Sequence, residues 1–273
     1  MEQKHNQRKM QQRARKRRIR RMVIFIYRLV WVGAFAVAIL LVWKWYQNLD
    51  VEGTNWFDTV YMEQLAEEDY PESLLALLEK NPEAKDFVLN YPENKGKERK
   101  IDLSGEVVKG TIPLFLQWDE RWGYETYGND FLAVTGCGPT CLSMVRCGLS
   151  GDTEWNPLKV AEMAQKQGYY VEGAGSSWEL MSEGAEQLGL TVYSVVFDAE
   201  HITSALEGGN PIICAMRPGD FTTAGHFIVL SGVDEEGKVI VCDPNSRINS
   251  ETSWDVEDLM PQIKNLWGYG YRE

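Results

Sequence analysis

Cys137 is the residue of this sequence best placed for nucleophilic chemistry, because it lies between Gly136 and Gly138 with Pro139 next in line. Proline is at home in the first turn of a helix, so the pattern predicts a helix over 137–147 with Gly148 at its end. A thiol at such a start meets unpaired backbone N–H groups and the positive end of the helix dipole, and both favour a thiolate. Gly136 and Gly138, lacking side chains, would also let a substrate backbone approach closely. The remaining cysteines have plainer readings. Cys141, one turn on, is expected in the core, and Cys147, Cys214 and Cys242 stand in apolar surroundings as buried thiols, with a disulfide open to them in an oxidising compartment. With five cysteines in all, at least one thiol stays free within a single chain. No C-x-x-C pair is present, so no metal site is expected.

A thiolate nucleophile needs an imidazole to take and return a proton, and the chain has only three histidines. His5 lies in a basic tail and His201 opens a short polar helix, where a surface role suffices. His226 follows Gly225 and begins the run Phe227-Ile228-Val229-Leu230, which sets it at a strand end with a small neighbour that leaves room for substrate. Asp243 comes 17 residues later, after one hairpin turn. Antiparallel pairing would bring its carboxylate beside His226, where it can hold the ring by the second nitrogen. An Asp before Pro244 also suits a plain turn. Gln117 is the candidate donor for a tetrahedral oxyanion, together with the Cys137 backbone N–H. Trp178 either lines a cleft or belongs to the core, and Trp118 and Trp122 read as structural.

These side chains need a scaffold. Two short helices are expected over 72–80 and 82–89, the second capped by Asn81, both with apolar faces that require a partner surface. Residues 92–105 read as a charged, turn-rich linker. Beyond it come helices over 157–167, with Asn156 as cap, and from Ser176 and Ser177 to Gly189, where Ser176 and Glu179 have capping-box spacing. The second half reads as strands over 191–197, 211–216, 226–233, 238–243 and 266–271, interrupted by a short helix over 200–206. Helices followed by an antiparallel sheet imply an α+β fold of two lobes.

Charge is divided sharply along the chain. The first 21 residues hold ten Lys and Arg against Glu2 alone, whereas positions 45–273 hold 16 basic and 39 acidic residues. The acidic body excludes a nucleic-acid partner, leaving only the tail able to touch polyanions. The apolar run 22–43 is long enough at ~1.5 Å per residue to cross a bilayer core. It lacks a small-x-small cleavage site, and so reads as an anchor in preference to a cleaved signal. Its basic flank places the N-terminus in the cytoplasm. The expected organisation is a cytoplasmic tail (1–21), a transmembrane helix (22–43), an acidic stalk with two short helices and a linker (44–106), and an extracytoplasmic domain (107–273).

The stretches IPLFLQWDERWG, TGCGPTCLSMV, GAGSSWEL and GHFIVLSGVDEEGKVIVCDPNS resemble, in that order, the bacterial C39-like group of papain-clan peptidases, related to the bacteriocin leader-processing domain. The resemblance covers about 111–267. It implies a papain-like two-lobed fold, with Cys137 as nucleophile, His226 as general base, Asp243 as orienting acid and Gln117 as oxyanion residue. It also implies a peptide or protein substrate and no metal or organic cofactor. Two departures stand out. Transporter-borne relatives set the glutamine a few residues before the cysteine, and here the gap is 20 residues. Those relatives also carry an ATPase, whereas here the glycines of 105–110 precede Thr111 where a P-loop needs Lys, so no ATPase domain is expected. A cell-wall peptide hydrolase or amidase of the same chemistry, and a membrane-anchored binding protein without turnover, remain as alternatives.

Overall fold

The computed structural model describes Leu65 and residues 70–271. The chain divides into two units, Met1–Glu67 and Glu68–Glu273, and the sheet and the helices packed on it belong to the second. The anchor expected over 22–43 lies outside the described residues, among which no helix is long and apolar enough to cross a membrane.

The principal helices are α1 (Glu72–Lys80), α2 (Lys85–Leu89), α3 (Cys137–Ser150), α4 (Pro157–Lys166), α5 (Ala199–Glu207) and α6 (Arg247–Glu251). The main sheet has six strands: β1 (Leu190–Tyr193), β2 (Ile212–Met216), β3 (His226–Val233), β4 (Val239–Cys242), β5 (Ser253–Trp254) and β6 (Ile263–Tyr271). They run in the spatial order β1-β6-β2-β3-β4-β5, and every neighbouring pair is antiparallel. This mixture of helices and antiparallel sheet is the architecture expected of a C39-like peptidase.

The sheet is buried on both faces, which explains why β2 and β3 read as unbroken apolar runs instead of alternating with polar residues. Ile213, Ala215, Phe227 and Val229 point toward the core that contains α3 and α4. Ile212, Cys214, Ile228 and Leu230 point the other way, toward α5 and the segment around Leu259. Helix α3 is buried from Gly138 through Gly148, so its sequence shows little amphipathic pattern. Gly148 does not end it, contrary to the sequence expectation. A Cβ there would lie 2.8 Å from the Thr111 carbonyl oxygen, so the glycine serves a close approach, and the helix ends one turn later at left-handed Gly151.

Other expectations shift for local reasons. The helix expected between Ser176 and Gly189 is broken into a 3-10 turn (Trp178–Met181) and a short helix (Glu183–Gln187) by Ser182, whose φ of -109° and ψ of -85° are not helical. The capping box does not form, since the Ser176 hydroxyl pairs with the Tyr127 hydroxyl at 2.8 Å. The first strand stops at Tyr193, which leaves Val196 and Phe197 exposed. The last strand, β6, starts earlier than expected and is central to the sheet, between β1 and β2.

The N-terminal helical pair belongs to the same compact unit. Asn81 caps the turn that leads into α2 by accepting from the Glu83 N–H. Leu74, Leu77, Phe87 and Val88 pack on Leu116, Trp118 and Ala133, satisfying the faces that the sequence left unpartnered. Tyr91–Asn94 is a further helical turn that runs into the expected linker, and Leu103 near the linker's end is buried in the main core. Leu74 is fully buried. Leu74→Ala is therefore expected to lower unfolding free energy by about 2–5 kcal/mol, read as a drop in denaturant midpoint at unchanged slope.

Candidate active site

Helix α3 begins at Cys137 because Gly136 ends the preceding turn (Leu132–Thr135) and serves as its N-cap. One turn further, the buried Cys141 thiol donates to the Phe227 carbonyl at 3.2 Å. That contact fixes the helix start against the start of β3, where His226 is the neighbour of Phe227. Strand β4 ends at Cys242 beside the same end of β3, and Asp243 follows. The three predicted residues thus arrive at one end of the sheet from three different elements.

His226 Nε2 donates to Asp243 Oδ1 at 2.7 Å, and the side chains are 7% and 1% exposed. Cys137 is near enough to the imidazole to influence its protonation. Burial alone would lower the imidazole pKa, but the Asp243 charge and hydrogen bond, assisted by Cys137, outweigh it and raise it from 6.5 to about 10. Cys137 is partly exposed, whereas the other four thiols are buried and all five are free. Burial pushes Cys141 and Cys214 well up, and Cys147 and Cys242 to about 11. The reactive geometry is thus confined to the one thiol that solvent can reach.

The Asp243 carboxylate is held by more than the histidine. The Asn245 backbone N–H donates to Oδ1 at 2.8 Å and Asn249 Nδ2 to Oδ2 at 2.8 Å. The Asp243 backbone N–H donates to Ser250 Oγ at 2.9 Å. Nothing in the sequence singles out Asn245, Asn249 or Ser250. The only signal is the polar run after Pro244, which reads equally well as a simple turn. Three donors converge on an acceptor-only group, so the neutral amide of Asp243→Asn must turn its NH2 toward a donor. We expect this variant to fold and to lose about a hundredfold or more in kcat, with the His226 imidazole titrating lower than in wild type.

Gln117 is buried and bridges the two halves of the site. Its backbone N–H donates to the Pro244 carbonyl at 2.7 Å, and its Nε2 donates to the Ala133 carbonyl at 2.6 Å. Its Oε1 has no protein partner, and the second Nε2 proton is left for another acceptor. The candidate substrate-contacting residues divide. Gly225 is exposed with open space where a side chain would be, as a strand entrance beside His226 requires. The space at Gly138 is taken by the protein itself, since a Cβ there would meet Ser176 Oγ at 2.5 Å. At Gly136 it would meet the Leu132 carbonyl oxygen at 2.4 Å. Internal packing therefore requires glycine at both positions. Trp178 is not a core residue, being 42% exposed. It stands edge-on to Trp267 at 5.6 Å, and Trp267 in turn leans on Phe227. Trp122 is fully buried and Trp118 nearly so, in keeping with structural roles.

Among the described residues, no group of three or more His, Cys, Asp or Glu is placed to hold a metal ion.

The Peptidase_C39 like family matches residues 109–271, more than half of the chain, and the chain belongs to that family. Membership suggests a cysteine peptidase, a hydrolase whose substrates are peptides or proteins. Among curated proteins no significant match is found.

Proposed function

We propose that this protein is a membrane-anchored cysteine peptidase whose catalytic domain lies outside the cytoplasm and whose triad is Cys137, His226 and Asp243. The observation that carries the reading is His226, hydrogen-bonded to Asp243 at 2.7 Å and near enough to Cys137 for the thiol to raise its pKa. The Cys137 sulfur attacks the scissile carbonyl carbon, and the carbonyl electrons move to oxygen, where the Gln117 amide and the Cys137 N–H are the assigned donors. Collapse of that intermediate breaks the C–N bond, and the His226 imidazolium gives its proton to the leaving amine, forming a thioester. Neutral His226 then takes a proton from water as the water attacks the thioester. Carboxylic acid leaves, and the thiolate–imidazolium pair is restored.

Asp243 keeps the ring oriented and its charge stabilised throughout. The basic N-terminal flank and the apolar run 22–43 support the anchor, with the N-terminus in the cytoplasm and the acidic body outside. The papain-like division into lobes has its support in the helix-borne sulfur meeting a strand-borne imidazole. Incubating the full-length protein with mixed peptide libraries and, separately, with purified cell wall tests the substrate class. New peptide termini are expected with wild type and not with Cys137→Ala. Release of wall fragments alone would assign the chemistry to a wall hydrolase, and no turnover of either would favour a binding protein on the same fold.

A further inference from the structure

Residues 72–89 lie before the family-matched region, yet they contact the loop that carries the acid of the site. Asn81 Nδ2 donates to the Asn245 backbone carbonyl at 2.6 Å and to its Oδ1 at 3.0 Å. Glu83 accepts from Ser246 Oγ at 2.5 Å through one carboxylate oxygen. Through the other it accepts from the backbone N–H groups of Arg247 at 2.8 Å and Ile248 at 3.3 Å. These contacts span 163 to 165 residues of chain. They grip the start of α6 and the loop before it, and from this loop and helix the Asn245 N–H and the Asn249 amide reach the Asp243 carboxylate.

We propose that the helical pair α1–α2 is a positioning element of the active site, in which Asn81 and Glu83 hold the 244–250 segment, the loop and the start of α6, so that it keeps the Asp243 carboxylate on His226. The inference rests on the assignment of Cys137, His226 and Asp243 as the triad. Neither Asn81 nor Glu83 touches the reacting atoms, so both are positioning residues acting through Asn245 and α6. The two donors are fixed in space only if the loop and α6 are, and a loop of four residues, 243–246, joining β4 to a five-residue helix has little packing of its own. A carboxylate that drifts by about 1 Å loses its linear bond to Nε2, with losses of up to roughly a hundredfold in rate. The segment that leads from the apolar run 22–43 into the catalytic unit is thereby the one that completes the site. Any partner or force that draws α1–α2 away would switch the peptidase down without touching its cleft.

The test uses the full-length protein with isotope-labelled histidine, whose three imidazoles give separable titrations. The titratable groups acting on His226 are Asp243 and Cys137, and Glu83 is not among them, so a purely structural role for Glu83 leaves this titration where it was. Glu83→Ala is expected to lower kcat roughly ten- to a hundredfold with little change in KM, and to shift the His226 titration downward. Glu83→Gln retains an acceptor oxygen and is expected to stay within about threefold of wild type. Asn81→Asp keeps the cap oxygen but removes the donor to Asn245. It is expected to act in the same direction as Glu83→Ala and stands in for it if the alanine variant does not fold. An unmoved His226 titration and wild-type kcat in the folded variants would overturn the positioning role. A wild-type His226 that titrates as an ordinary imidazole would instead remove the triad on which the role depends.

Discussion

Replacing Cys137 by alanine is expected to abolish peptide hydrolysis, lowering kcat by on the order of a millionfold or to the uncatalysed background. The reason is that no other thiol can take over. Cys141 is the nearest by sequence, but it is fully buried and its hydrogen is committed to the Phe227 carbonyl. Burial also holds it in the neutral thiol form. Cys147, Cys214 and Cys242 are likewise buried, with their thiols pushed up by desolvation. The substitution removes one partly exposed sulfur at the margin of the core, so Cys137→Ala should unfold at a denaturant concentration close to that of wild type. Rates on a cleaved peptide, with the unfolding midpoint as the control for folding, check both statements.

The second large effect is that of His226→Ala, expected to cost about 10²- to 10⁴-fold in kcat through loss of general acid–base catalysis. It leaves Asp243 as a buried carboxylate without its cationic partner, so stability falls as well. The pH dependence carries a definite sign. The folded-state pKa of His226 is raised from 6.5 to about 10, so the folded protein holds this proton more tightly than the unfolded chain does. The resulting stabilisation is fully present below about pH 6.5 and is lost as pH rises through about 10. Wild-type unfolding free energy should therefore decline across that window, and the decline should be absent from His226→Gln. Activity should fall on the alkaline side over the same upper range, because the leaving amine then finds no imidazolium to protonate it.

Much of the site is legible in the sequence because its residues sit where local chemistry changes. His226 opens a strand that runs over the expected residues, 226–233. Cys137 opens a helix because Gly136 and Pro139 bracket it, and Asp243 follows the last residue of the next strand. The short hairpin between β3 and β4 makes their relation nearly local, so the meeting of His226 and Asp243 follows from strand pairing. The convergence of Cys137 with His226 spans more chain, but elimination among three histidines is enough to find it.

What the sequence does not disclose is tertiary in origin. Gly148 looks like a helix end because nothing nearby announces the Thr111 backbone that needs its space. Ser176 has the spacing of a capping box, but the distant Tyr127 hydroxyl takes its side chain. Gly136 and Gly138 look like openings for substrate, and the sequence does not show that each is also a site of close internal approach. Asn249 and Glu83 escape notice for the same reason, since each acts across a fold that brings a turn, a helix and a loop together. Trp178 is evenly balanced between core and cleft by sequence, and its exposure beside Trp267 can be read only once β6 is seen to lie between β1 and β2.

Capture of the acyl-enzyme bears on the triad with the fewest intervening assumptions. A slowly hydrolysed peptide thioester or activated ester would be mixed with the full-length protein, quenched in acid and mapped by mass spectrometry of its fragments. A single acyl adduct on Cys137 is expected, absent from Cys137→Ala and slowed by at least about a hundredfold in His226→Ala. An adduct spread over other thiols, or one that forms on Cys137 at the same rate with His226 removed, would refute the triad.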